Sequence, residues 1–370
     1  MTNAIEDLLD NIAGFFIKGL PFVAFKSPAE NIVHLLWQET DALHFLTPES
    51  SFGFVMATYS HKKTPYLLKP EGYMSAIFKQ TAPLDVYNTA VSNDPDHADA
   101  LKMQHINLVQ SALDEIGRNQ FKKVVLARSA SFETAKTPLA IFEGLLACYD
   151  NAFCYLWHHP ALGTWIGATP ERLLRIENKS LQTAALAGTI KRDDTSTSLF
   201  SENWTSKEQE EQAMVVQDIE NRLIAIGLKL NKSNTYQVNA AQVSHLKTDI
   251  SVAQIGRKSL LELIDALHPS PAVCGLPRDQ AHEFIQQNEA LDRKFYAGYL
   301  GLVHTHLAQS SMGFEGLHSI DADLYVNLRC MEYQSGTAIV YVGSGITSGS
   351  QPEKEWEETI LKAQTIKKVI

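Results

Sequence analysis

Apolar residues recur along this chain at two spacings, and the switches between them mark out its elements. From His97 to Asn119 they fall near helical intervals, at Ala100, Ile106, Val109, Leu113 and Ile116, which predicts a helix. Phe121 to Phe132 is rich in Val and Leu and predicts a strand, Pro138 to Tyr149 a helix, and Ala152 to His158 a strand. Thr164 to Ala187 predicts strands broken at Glu177-Asn178-Lys179, a good hairpin turn. Met214, Val215, Ile219, Leu223 and Ile226 form one stripe of a helix from Lys207 to Leu228. Ser259 to Leu267 and Asp279 to Asn288 predict two more helices. Ala322 to Glu332 and Ala338 to Val342 predict a hairpin across Gln334-Ser335-Gly336, and a last helix runs from Pro352 to about Lys368. Long strands joined by tight turns, with helices interspersed irregularly, predict a largely antiparallel α+β fold. Residues 1–100 say least: an amphipathic start, a strand-like Phe22-Val23-Ala24-Phe25, and a turn-rich Ser92-Asn93-Asp94-Pro95-Asp96.

Composition narrows the classes. At 370 residues the chain exceeds the size that one core usually serves, yet no repeat, low-complexity tract or linker divides it. A single domain over residues 1–370 is expected, with the family signals described below confined to 101–370. Hydrophobic content of 45% and charged content of 20% describe an ordinary globular protein. A net charge of −10 argues against a nucleic-acid partner, and no apolar run is long enough for a membrane span. The acidic N-terminus, where a secretory signal would be basic, points to a cytoplasmic protein. Cys148, Cys154, Cys274 and Cys330 stand in no metal-ligand spacing and are expected to be reduced, buried thiols.

Candidate chemistry lies in two glutamate pairs. On helices, Glu355 and Glu358 fall one turn apart on one face, and so do Glu208 and Glu211. Carboxylates without His or Cys suit a hard cation such as Mg²⁺. The run Tyr341-Val342-Gly343-Ser344-Gly345-Ile346, just ahead of one pair, can bring backbone N–H groups to an anion. The plainer reading is a solvated helix face, with Thr205-x-x-Glu208 and Ser350-x-x-Glu353 as capping boxes.

Five motifs taken together decide between these readings. Phe121-Lys122-Lys123-Val124-Val125-Leu126-Ala127-Arg128, Gly167-Ala168-Thr169-Pro170-Glu171, Leu186-Ala187-Gly188-Thr189, Leu267-His268-Pro269-Ser270-Pro271-Ala272-Val273-Cys274-Gly275 and the tail around Glu355 occur in that order. In order and content they resemble the chorismate-utilising enzymes: isochorismate, salicylate, anthranilate and aminodeoxychorismate synthases. The resemblance covers roughly residues 100–370 and implies that family's single large α+β fold (like anthranilate synthase component I), two layered antiparallel sheets with helices outside. It implies Glu211 and Glu355 as Mg²⁺ carboxylates, with Glu208 and Glu358 as their neighbours. It also implies Arg329 as the grip on the enolpyruvyl carboxylate, helped by the amides of Gly343 and Gly345. Lys362, His245, Thr189, Ala272 and Val273 would line the substrate site.

Which member the chain resembles turns on Lys123. Family members that add ammonia carry Gln there, and members that add water carry Lys. Water must lose a proton to attack C2 of the ring, and a lysine in a closed, partly apolar pocket can take it. A solvent-facing strand-end lysine is the alternative, as for its neighbour Lys122. Glu171 matches the general acid that protonates the departing C4 hydroxyl, a role that needs a raised pKa. Ala187 removes the nucleophilic lysine common in aminodeoxychorismate synthases, and no glutaminase segment or subunit is implied. Pro271-Ala272-Val273-Cys274-Gly275 looks most like isochorismate synthases. The expectation is therefore an Mg²⁺-dependent isomerase making isochorismate, for menaquinone or a siderophore. The alternatives are a salicylate synthase and a non-catalytic chorismate-binding regulator.

Overall fold

A computed structural model describes residues 4–48, 50, 52–60, 62–79, 95–191, 204–240, 243–304 and 321–370. The expected α+β class is what the chain adopts: among the described residues, two nine-stranded sheets with helices packed against them. Each strand pairing among the described residues is antiparallel. The first sheet runs Gly275–Leu276, Lys123–Glu133, Thr337–Thr347, Cys330–Gln334, Gly163–Thr169, Phe153–His159, Phe22–Lys26, Ile32–Trp37, Gly72–Ile77. The second runs Asn231–Lys232, Val243–Val252, Ser180–Lys191, Arg172–Glu177, Ala322–Val326, Tyr299–His304, Phe52–Ala57, Tyr66–Leu68, with Tyr236–Ala240 also on Val243–Val252.

The sheets face each other across an aromatic core. Phe25 and Phe153 of the first meet Phe54 and Tyr325 of the second, the Phe153 and Tyr325 rings stacking at 4.4 Å. On its outer face the first sheet carries the helices Ile5–Lys18, Pro138–Cys148 and Pro352–Lys367, which bury Leu8, Ile12, Phe142 and Ile366 in a second cluster. Its central strands are thus covered on both faces, and Phe22–Lys26 is buried at all five positions. Such strands read as apolar runs without alternation, as the sequence showed. The helix Ser206–Ala225 lies against the strand Ser180–Lys191 of the second sheet.

Local chemistry explains most boundaries. Thr137 caps Pro138–Cys148 by accepting from Ala140 N at 3.2 Å, with Pro138 in the first turn. The Asn178-Lys179 turn has both residues left-handed, φ 51° and 62°, the geometry of a two-residue hairpin. Ser335 (φ 47°) and Gly336 (φ 84°) close the hairpin between Cys330–Gln334 and Thr337–Thr347. All four cysteines are free thiols, three of them buried.

Three expectations need correction. The strand expected over Ala322 to Glu332 is two strands in different sheets. Asn327, fixed by Tyr155 Oη at 2.6 Å and by its own donation to Phe295 O at 2.9 Å, and a left-handed Arg329 (φ 48°) end the first. The stretch Thr164–Ala187 breaks a second time at Pro170-Glu171, where proline lacks a ladder donor. Ser350 forms no box with Glu353: its Oγ accepts from Thr347 N at 3.1 Å, and Gln351 is the N-cap. Of the turn-rich Ser92–Asp96, Ser92 to Asp94 lie outside the described residues and Pro95 opens the helix Pro95–Gly117.

Candidate active site

Both breaks are crossings from one sheet to the other, and they lie side by side. Through Pro170-Glu171 the chain leaves the first sheet, and through Asn327–Arg329 it returns. Val326 N donates to Glu171 O at 2.9 Å, Thr169 Oγ1 to Val326 O at 2.6 Å, and Ala168 N to Arg329 O at 3.1 Å. Glu171 and Arg329, 158 residues apart in number, therefore line one cavity of about 110 Å³. A larger cavity of about 730 Å³ adjoins it and shares Glu171, Leu186, His245 and Arg329.

Five further elements and one connecting segment complete the wall. The strand Lys123–Glu133 brings Lys123, its neighbour Thr337–Thr347 brings Gly343 and Gly345, and the segment before Gly275–Leu276 brings Ala272 and Val273. Glu208 and Glu211 come from the first turns of Ser206–Ala225, and Glu358 and Lys362 from Pro352–Lys367. His245 comes from Val243–Val252. One of the described sequence candidates is not on that wall. Glu355 is buried one turn before Glu358, off the cavity surface. Thr189 pairs with His245 through its backbone, and its side chain lies outside the described residues.

Lys123 is 1% exposed while Lys122 is exposed, so the solvent-facing alternative is corrected. Its Nζ donates to Glu211 Oε1 at 2.8 Å. Gly345 makes room for that pair: a Cβ there would stand 3.0 Å from Glu211 Oε1 and 3.1 Å from Lys123 Cε. Lys362 Nζ donates to Glu358 Oε1 at 2.6 Å and to Gly343 O at 2.9 Å. Glu208 keeps its capping duty, Oε2 accepting from Thr205 N at 3.0 Å. It reaches the wall because Ser180–Lys191 bulges between Ala187 and Thr189, with Gly188 at φ 69° and only 3.1 Å from Glu208 Cβ to a Cβ on Gly188.

Burial governs the titration of these groups. It pushes the Glu171 carboxyl up to about 7, against the pull of Lys123, Arg329 and Lys362. It pushes His245 down to about 4, helped by Arg329, so the imidazole is neutral near pH 7. With Nδ1 3.1 Å from Gly188 O, the neutral ring donates there and presents Nε2 as an acceptor. Arg329 is held below its ordinary range by the same burial, offset by Tyr296, Tyr149 and the nearby Glu358 and Glu171.

Glu208, Glu211 and Glu358 are oxygen donors around one cavity, the donor chemistry of a hard divalent cation. Room beside Glu211 exists only because Gly345 has no side chain. Among the described residues no three such groups stand together as a metal-ligand cluster; Lys123, Lys362 and the Thr205 amide hold them. The donor type is the one such an ion takes.

Sequence reasoning missed the aromatic wall. Tyr341 lines the cavity stacked between Trp165 (5.3 Å) and Tyr296 (5.6 Å), and Tyr296 lines it too. The only signal was the tyrosine directly before the glycine-rich run, at a position that strand burial alone explained. The strand Val243–Val252 was also missed, since its polar Ser244, His245, Lys247, Thr248 and Asp249 hide the pattern.

Comparison with known proteins agrees with this arrangement. A family model described as chorismate binding enzyme matches residues 66–370. The isochorismate synthase MenF of Escherichia coli is 32% identical over 270 residues, 71% of this chain and 59% of that protein. The chain thus spans under two thirds of the length of this curated relative. The structure of DhbC from Bacillus anthracis, described as a 2,3-dihydroxybenzoate-specific isochorismate synthase, superposes with TM-score 0.76 at 25% identity, covering 94% of this chain and 96% of that one. Anthranilate synthase component I from Streptococcus pneumoniae shares the fold, with TM-score 0.65 at 18% identity over 94% of this chain and 92% of that one. Matched over most of its length by the family model, and carrying that family's motifs around one cavity, the chain belongs to the chorismate binding enzymes.

Proposed function

We propose that this chain is an isochorismate synthase: water adds at C2 of chorismate, the ring double bonds shift, and the C4 hydroxyl leaves. The observation that carries the reading is a buried lysine and a carboxyl raised to about 7 on the wall of one cavity. Lys123, acting as the neutral amine, takes a proton from the attacking water, and Glu171 gives one to the departing hydroxyl. An ammonia-adding enzyme needs no such base, and relatives named isochorismate synthase support the choice. Arg329 orients the enolpyruvyl carboxylate, with the amides of Gly343 and Gly345 beside it, and Tyr296 and Tyr341 give the ring an aromatic wall to pack against. Glu208, Glu211 and Glu358 would hold Mg²⁺, with Glu355 one turn behind; when bound, the ion supplies charge to the ring carboxylate and draws electron density from the ring. The chain acts as one unit, since its N-terminal strands belong to both sheets.

The test is incubation with chorismate and Mg²⁺, following isochorismate and salicylate separately at neutral pH. Isochorismate as the main product is expected, with loss of turnover in excess chelator and recovery on adding Mg²⁺. Salicylate and pyruvate appearing in step with chorismate loss would make the chain a salicylate synthase. Full activity in chelator would remove the metal from the proposal.

A further inference from the structure

Behind the cavity wall, and outside the machinery just described, lies a buried ion pair. The side chains of Glu289 and Arg293, 2% and 3% exposed, meet through Nε–Oε1 and Nη2–Oε2, both at 2.7 Å. The pair also holds three backbone groups. Arg293 Nη2 donates to Val125 O at 2.7 Å, Nη1 donates to Val273 O at 3.0 Å, and Glu289 Oε2 accepts from Ala127 N at 2.9 Å. The Arg293 guanidinium rests on the Tyr59 ring, 4.4 Å from its centre.

These backbone groups are ones the sheet leaves unpaired. The edge strand Gly275–Leu276 pairs only with Val124 and Lys123. Beyond that point the strand Lys123–Glu133 would face an empty edge, and the pair occupies it. Val125 and Val273 both line the cavity, from two different segments. One planar guanidinium therefore fixes the distance between two walls, a task its rigid fork suits and an ammonium does not. Stability alone is a poor reason for the arrangement: buried ion pairs are often replaced by apolar residues at no loss.

We propose that Glu289–Arg293 is a positioning pair that sets the width of the cavity through the backbone of Val125 and Val273, and with it the placement of Lys123 two residues away. This rests on the reaction proposed above, so the test has one readout that needs no reaction. The variants are Glu289→Met with Arg293→Met together, and Arg293→Lys alone, which keeps a charge opposite Glu289 but cannot span both carbonyls. The double variant should fold with a lowered thermal midpoint, because Val125 O, Val273 O and Ala127 N lose these partners, while kcat on chorismate falls about tenfold or more and KM moves less than about threefold, the mark of misplacement rather than lost binding. Exchange of the Val125 amide should quicken as well; it donates to Cys274 O at 2.7 Å, a bond that neither Glu289 nor Arg293 makes. Should the double variant fail to fold, Arg293→Lys carries the same readouts. A kcat within twofold of native in a folded variant overturns the proposal. If the native chain does not turn chorismate over, the reaction is wrong and the Val125 amide decides alone: unchanged exchange overturns the pair's role.

Discussion

At the scale of single residues, the site couples function to a cost in stability. Glu171 keeps its proton to about pH 7 in the folded chain, whereas an unburied glutamate releases it near 4.5. Between those values the folded chain binds the extra proton, so stability falls as pH rises from about 4.5 to about 7 and stays low above. Glu171→Gln lacks this titration. Its thermal midpoint should rise relative to the native chain across that window, while kcat drops about 10²-fold or more. Native turnover should itself decline above about pH 7 as the acid is lost. Lys123→Ala should cost a similar factor in kcat, and a variant with near-native turnover would show that another group activates water. Gly345→Ala is a steric test of the same spot. A methyl 3.0 Å from Glu211 Oε1 and 3.1 Å from Lys123 Cε pushes the pair apart, and should weaken Mg²⁺ binding by calorimetry without changing the fold.

At the scale of elements, what the sequence revealed depended on whether a pattern had one cause. Helices with one apolar stripe, such as Ser206–Ala225, could be read within a few residues, as could hairpins closed by Asn178-Lys179 and Ser335-Gly336. Strands covered on both faces were visible as runs, but their sheet was not: nothing in Ala322–Glu332 marks a change of sheet except Asn327 and Arg329, whose constraint is tertiary. The bulge at Gly188 was hidden for the same reason, although its motif was noticed. It predicts its own test. In Gly188→Ala an L-residue must adopt φ 69° with a Cβ against Glu208, costing about 1–2 kcal/mol in denaturant unfolding at unchanged slope. The first turn carrying Glu208 would shift with it, so activity should fall further than stability accounts for.

At the scale of the whole molecule, the poorly legible N-terminal region turns out to be framework. Phe22–Lys26 and Ile32–Trp37 extend the first sheet, and Phe52–Ala57 extends the second. A chain beginning after residue 60 would lose strands from both sheets and expose Phe153 and Tyr325, so it should lack a cooperative thermal transition by circular dichroism. The family motifs gave no hint of this, because the early strands carry core residues and none of the cavity wall. Residue type and motif order were enough to name most of the charged residues that line the cavity. Their mutual contacts were not legible, and Lys123 on Glu211 or Lys362 on Glu358 could be seen only once the sheets were assembled.

The paired crossings also constrain the order of events in time. Gly163–Thr169 and Cys330–Gln334 pair in one sheet, and Arg172–Glu177 and Ala322–Val326 in the other, so each sheet needs both ends of the same two segments. Each sheet is completed only when those two segments have met. Closing such distant contacts pays its entropy before any reward, and belongs to the slow end of folding. Glu171 and Arg329 sit where the closures meet, so the ability to hold a ligand should return last on refolding, well after the helical signal has recovered.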